Sequence, residues 1–180
     1  GGCDEGPGYW GRAGASLFEC LEMLHGATRG VVSDYGSPLI RGIGQYIYRV
    51  YIKDDYYVNF ADASGKDAPE AGVVYRYGRS IGDPVLTGFG SFLARRQERG
   101  DESGFRDVGS LGRLLPDLLL AGELRAAKQV EPLLRDFWLP DLQVMGARSY
   151  PDSSKGLYLA AKGGHNAESH NHNDVGNFVV

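Results

Sequence analysis

The sequence predicts mixed α and β structure in which helical hairpins give way, once, to an antiparallel sheet. Two patterns carry that reading. As far as residue 136 the apolar side chains recur at the three- and four-residue spacing of helices. From residue 137 they fall in short apolar or alternating runs bounded by Pro, Gly, Asp and Ser, as strands do. The single switch divides the chain into a helical part, 1–136, and the first strands of a β domain, 137–180. An α+β fold and a helical domain joined to a β domain both suit this order, and the repeated hairpins favour the second.

Over residues 9–25, Leu17, Cys20, Leu21 and Leu24 share one helical face, and Gly26 follows at the stop. His25 reads as a residue of that helix's C-terminal turn, where the macrodipole favours a cation. A second helix opens with Ser37 as N-cap and Pro38 in the first turn, then runs through Leu39, Ile40, Ile43, Ile47 and Val50. The turn at 34–36 makes the two a hairpin. Residues 56–68 lose periodicity at Asn59, Asp62, Ser64 and Gly65 and read as a loop, the kind of segment that often carries function. Helical patterns resume over 70–79, 84–99 and 109–128. In the last, Leu111, Leu114, Leu115 and Leu118 form the expected buried stripe, and Pro116 is expected to kink the helix or mark its start. Strands are expected over 139–147, 157–161 and 175–180.

Bulk properties narrow the function. A formal charge of −4 with acids and bases interspersed leaves no basic face for non-specific nucleic-acid binding. No apolar stretch approaches the roughly 20 residues that cross a bilayer. Cys3 and Cys20 make no disulfide framework and are expected to be buried or idle thiols. A start at Gly1 without methionine and an apolar close at Val180 suggest a piece cut from a longer polypeptide at both ends, any signal peptide lying upstream.

The densest chemistry lies at 169–174, Ser-His-Asn-His-Asn-Asp, which holds two of the four histidines. In an extended segment His170 and His172 would project from one face, about 7 Å apart at the backbone, presenting a metal ligand beside a catalytic base. Imidazoles and a carboxylate suit zinc, with further ligands from elsewhere. His165 precedes them beside Gly163 and Gly164, which permit close backbone approach to a ligand. At the other end, Asp4 and Glu5 precede Tyr9 and Trp10. The acids suit the positive start of a helix, and acids beside flat rings also suit a sugar. A third cluster, Tyr46, Tyr48, Tyr51, Tyr56 and Tyr57, ends where helix gives way to loop, and a phenol there can exchange protons if nearby cations favour its anion.

Together the opening Asp-Glu-Gly-Pro-Gly-Tyr-Trp at 4–10, the segment Tyr-Tyr-Val-Asn-Phe-Ala-Asp-Ala at 56–63 and the run Gly-Gly-His-Asn-Ala-Glu-Ser-His-Asn-His-Asn-Asp-Val-Gly-Asn-Phe at 163–178 resemble the heparinase II/III-like polysaccharide lyases, which include oligoalginate lyases. The likeness spans the chain; the last motif is specific and the other two support it. It implies the C-terminal part of an incomplete α/α toroid of helical hairpins, followed by the start of an antiparallel β-sandwich domain. It implies β-elimination at a uronic acid of an acidic polysaccharide or oligosaccharide, with Tyr57 and His170 as the acid–base pair and with Glu5, Tyr9, Trp10, Arg12 and His165 at the substrate. Arg12 stands in for a carboxylate-neutralising group where this sequence has Cys3 and Asp4 before Glu5. His172 matches a histidine that binds a structural zinc in several members, whose other ligands lie past Val180. A periplasmic or secreted location, and a homodimer among the assemblies, also follow from the likeness. A zinc-dependent hydrolase and a non-catalytic carbohydrate-binding protein of the same fold are the alternative readings.

Overall fold

Proline and glycine punctuation sets the helix boundaries in the computed structural model, which describes residues 2–101, 111–170 and 172–180. Pro7 starts a single turn, α1 (Pro7–Trp10), and Gly11 caps it. The chain then re-enters helix as α2 (Gly14–Ala27), so the one helix expected over 9–25 is two. The face of α2 that packs is Gly14, Ala15 and Phe18, while Leu17 and Leu24 are 40% and 44% exposed and Cys20 lies in solvent. The helical period stands but its phase moves by one residue. Phe18 is the reason: its ring stacks on Tyr77 with centroids 4.5 Å apart, and a buried aromatic outweighs the smaller side chains beside it.

The helix α3 (Pro38–Arg49) begins at Pro38 with Ser37 extended before it, as expected, and buries Ile40, Gly44 and Ile47. Next comes a short hairpin that the sequence reading took in part for loop, β1 (Tyr51–Lys53) and β2 (Tyr56–Tyr57), in which Tyr51 pairs with Tyr57. Two residues are too few for a strand pattern to declare itself.

The helices α4 (Ala71–Ile81) and α5 (Pro84–Arg99) form the tightest hairpin, turned by Gly82 at φ 64° and capped by Asp83, whose carboxylate accepts from Val85 N and Leu86 N at 3.0 and 2.9 Å. Gly78 and Gly90 let the two backbones meet. A methyl group at Gly78 would fall 2.4 Å from Thr87 N, and one at Gly90 2.5 Å from Tyr75 N.

The next helix, α6 (Leu111–Ala126), corrects an expectation. Leu111, Leu114, Leu115 and Leu118, read as its buried stripe, are 71%, 51%, 51% and 73% exposed. The packed stripe is Arg113, Asp117 and Leu124, again at helical spacing but mostly charged. Arg113 donates to Glu19 at 2.9 Å and to Glu70 at 2.5 Å, Asp117 lies 3.8 Å from the buried Arg76, and Ser91 donates to the Leu124 carbonyl at 2.9 Å. Pro116 lies inside this helix rather than at its start; positions 109 and 110 of the predicted helix are outside the described residues.

Four strands then form one antiparallel sheet in chain order: β3 (Asp136–Leu139), β4 (Val144–Arg148), β5 (Tyr158–Lys162) and β6 (Phe178–Val179). Leu139, Val144 and Ala160 face inward and join the hydrophobic cluster that also holds Trp10, Phe18, Ile47, Tyr77 and Phe89. The Arg148 guanidinium, donating to the Ile52 carbonyl at 2.8 Å, ties β4 to β1. The predicted order, helices followed by an antiparallel sheet, is the observed one. Among the described residues no helix is long and apolar enough to cross a membrane.

Candidate functional site

Three loops deliver the polar residues to one place. The first is the tight turn at 3–6, closed by Gly6 N donating to the Cys3 carbonyl at 3.1 Å, with Gly6 at φ 100°. Cys3 is buried beneath it, and burial pushes its thiol up to about 11. Glu5 projects from this turn, half-buried. The second loop follows β2 and carries Asp62. The third joins β5 to β6 and carries His165, His170, His172 and Asp174.

The third loop is anchored at its base. Gly163 N and Gly164 N donate to Gln143, at 2.7 Å to its carbonyl and 2.8 Å to Oε1, and the buried Lys162 ammonium pairs with Glu168 at 2.7 Å. That bond holds the Glu168 carboxyl below the usual carboxylate range. A latch joins the second loop to the third: Ala61 N donates to Asp174 Oδ2 at 2.6 Å. Ala61, His170 and Asn173 all have left-handed backbones, at φ 60°, 57° and 61°, so non-glycine strain gathers here.

At the centre is Asp62. His170 Nδ1 lies 2.8 Å from its Oδ2 and His172 Nε2 lies 2.5 Å from its Oδ1, while His170 Nε2 stands 3.5 Å from Glu5 Oε1. The hydrogen bond from His170, followed by that from His172, holds the Asp62 carboxyl below its usual range. His170 sits in a turn with a left-handed backbone, not in the extended strand whose side chains would share one face, and its ring and that of His172 both aim at one carboxylate. Glu5, Asp62 and His170 each present a ligand atom within 4.8 Å of the others, and with His172 the donors are two imidazoles and two carboxylates, a composition zinc accepts.

Next to this cluster opens a cleft of about 290 Å³, lined by Tyr9, Arg12, Asp62, Lys66, Glu70 and Arg113 among others. Tyr9 is 37% exposed at its wall. Trp10 also borders the cleft, but it is 1% exposed, its indole N–H donates to the Ile43 carbonyl at 2.8 Å and its ring lies against Tyr77, so it serves packing. Tyr57 is likewise 1% exposed, packed edge-on against Tyr51 at 5.4 Å between centroids, whereas Tyr56 is at the surface. His165 is exposed, and its carbonyl accepts from Glu168 N at 3.4 Å.

Of the residues singled out in the sequence, Glu5, His170 and His172 come together, with Tyr9 and Arg12 along the adjoining cleft. Asp62, which joins the two histidines, was read as a loop-forming residue and as part of the 56–63 motif, with no chemical role of its own. Its signal was available, since an acid in an irregular segment has no helical or strand role to fill. No protein-family model matches the chain, and a search of curated proteins finds no match.

Proposed function

We propose that this site belongs to a lyase that cleaves uronic-acid-containing acidic polysaccharide or oligosaccharide, of the alginate or glycosaminoglycan type, by β-elimination. One observation carries the reading. The three segments on which the resemblance rests, separated by most of the chain, meet within hydrogen-bonding range at Glu5, Asp62 and His170. In this reading His170 Nε2 removes the proton from C5 of the uronate, the C4–O bond breaks, a C4–C5 double bond forms, and the proton held on the imidazole passes to the departing oxygen. The cation left on His170 in between stands beside the Asp62 and Glu5 carboxylates. Arg12 and Lys66 on the cleft wall supply positive charge to the substrate carboxylate, beside which the carbanion develops. The proposal gives the base role to His170 rather than to Tyr57, because Tyr57 is held in the core.

The zinc that the resemblance implies would draw on His172, with Asp62 and Glu5 near it, and would tie the loops together. The finer architecture belongs to the same proposal: the helical hairpins form an arc of an α/α toroid and the sheet is one layer of a β-sandwich. The exposed leucines of α6 and the exposed Trp138 and Phe178 of the sheet are apolar surfaces that neighbouring helices and a second sheet would cover. A periplasmic or secreted location and a homodimer complete the reading.

The imidazole and carboxylate set also favours a second reading, a zinc-dependent hydrolase. Incubation with alginate, heparin, heparan sulfate and chondroitin sulfate separates the two. Elimination yields a conjugated product that absorbs in the ultraviolet, which is the expected result. New reducing ends without that absorbance, abolished by a chelator, would establish the hydrolase. Saccharide binding without turnover would leave only a carbohydrate-binding protein.

A further inference from the structure

Arg113, on α6, reaches three separated segments at once. Its Nε and Nη2 donate to Glu19 Oε1 and Oε2, each at 2.9 Å, a two-pronged bond to α2. Its Nη1 donates to Glu70 Oε2 at 2.5 Å, at the N-cap of α4, and Nη2 also donates to the Gly11 carbonyl at 2.7 Å. The guanidinium thus lies on the cleft wall, 15% exposed, with its charge met by two carboxylates. We propose that Arg113 is a positioning residue that holds the turn between α1 and α2, and with it Arg12, at the edge of the cleft where the substrate carboxylate binds.

That turn has no side-chain cap of its own. Neither end of α1 carries one, and Ala13, the N-cap of α2, has no side-chain oxygen to accept from the helix start. Arg12 N and Ala13 N both donate to the Tyr9 carbonyl at 3.0 Å, which shapes the turn. Trp10, bonded to the Ile43 carbonyl, fixes its near end, and the bond from Arg113 to Gly11 fixes it beside Arg12. Arg113 is itself held in register. One helical turn further on, Asp117 lies so close to α4 that a methyl group at Gly72 would fall 1.8 Å from its Oδ1, so α6 cannot slide along α4 without disturbing that contact. The role also calls for a planar fork. A lysine carries the same charge at one point and cannot span Glu19, Glu70 and Gly11 together. Arg113 touches no reacting atom in this scheme; it acts through Arg12.

The hold on the turn stands on geometry, and its effect on substrate rests on the lyase reading. R113K and R113A test both, with folding checked by circular dichroism; every comparison is made with R113K, so a failure of R113A to fold leaves the test intact. Hydrogen–deuterium exchange of peptides covering residues 9–17 should run about tenfold faster in the variants than in the wild type, while peptides from α5 keep their wild-type rate. With alginate or a glycosaminoglycan as substrate, R113K is expected to raise KM about tenfold with kcat within about threefold. R12A should raise KM to a similar extent, and R113K added to R12A should raise it by no more than about twofold again, because the two act as one unit. Unmoved exchange at 9–17 would overturn the inference even if the protein is a lyase. So would a fall in kcat at unchanged KM, or effects of R12A and R113K that multiply independently. Faster exchange at 9–17 in a protein whose wild type eliminates none of these polymers would keep the hold on the turn and overturn the lyase reading instead.

Discussion

Tyr57 and His170 divide the two demands a proton-transfer residue must meet, chemical competence and access. Tyr57 has the phenol but is 1% exposed and packed on Tyr51, whereas His170 is exposed and tied to Asp62. Y57F is therefore expected to keep kcat within about twofold, and H170A to lose at least about 100-fold with an unchanged circular dichroism spectrum. Measured turnover on a uronate polymer decides it: a hundredfold loss in Y57F would return the phenol to the reaction. Glu5, His170 and His172 were legible because their residue types are chemically specific and clustered. Asp62 was legible only as an acid in an irregular segment, since nothing in its neighbours along the chain says that a loop 108 residues away brings two imidazoles to it.

Helix α6 shows why periodicity alone does not name the buried face. Leu111, Leu114, Leu115 and Leu118 and the stripe Arg113, Asp117 and Leu124 both repeat at helical spacing, and hydropathy favours the first. The contacts run through the second, because Glu19 on α2, Glu70 at the N-cap of α4 and the buried Arg76 of α4 offer it charged partners. Urea unfolding should separate the two faces. L124A, at a residue 8% exposed, is expected to cost about 2–4 kcal/mol. L118A, at one 73% exposed, should stay within about 0.5 kcal/mol. Comparable losses from both would mean that the leucine face is covered in solution. In α2 the same ambiguity appeared as a one-residue shift in phase, settled by the stacking of Phe18 on Tyr77. Boundaries set by local chemistry were easier to read: Pro38 and Pro84 stand where the sequence suggests starts.

For the molecule as a whole, the order of helices and sheet was legible because each periodicity is local, while the packing of the sheet onto the helices through Leu139, Val144 and Ala160 depends on contacts across the chain. The sheet is also joined to its loop by the Lys162–Glu168 pair, and this has a pH signature. Glu168 has a folded value below the ordinary carboxylate range, so its contribution is present above the unfolded carboxylate pKa and is lost as pH falls through the folded one. Thermal unfolding from neutral to acid pH should show E168Q with a shallower acid-side loss of Tm than the wild type. Identical slopes would mean that the pair adds nothing to acid sensitivity. The Ala61–Asp174 hydrogen bond spans 113 residues, from the loop after β2 to the loop before β6. Loops of that span close late, after local helices and hairpins have formed. During synthesis, a chain that has emerged only as far as Lys162 contains every helix described and three of the four sheet strands but neither His170 nor His172. The two histidines thus join Asp62 only after every helix described and three strands of the sheet are already available to receive them.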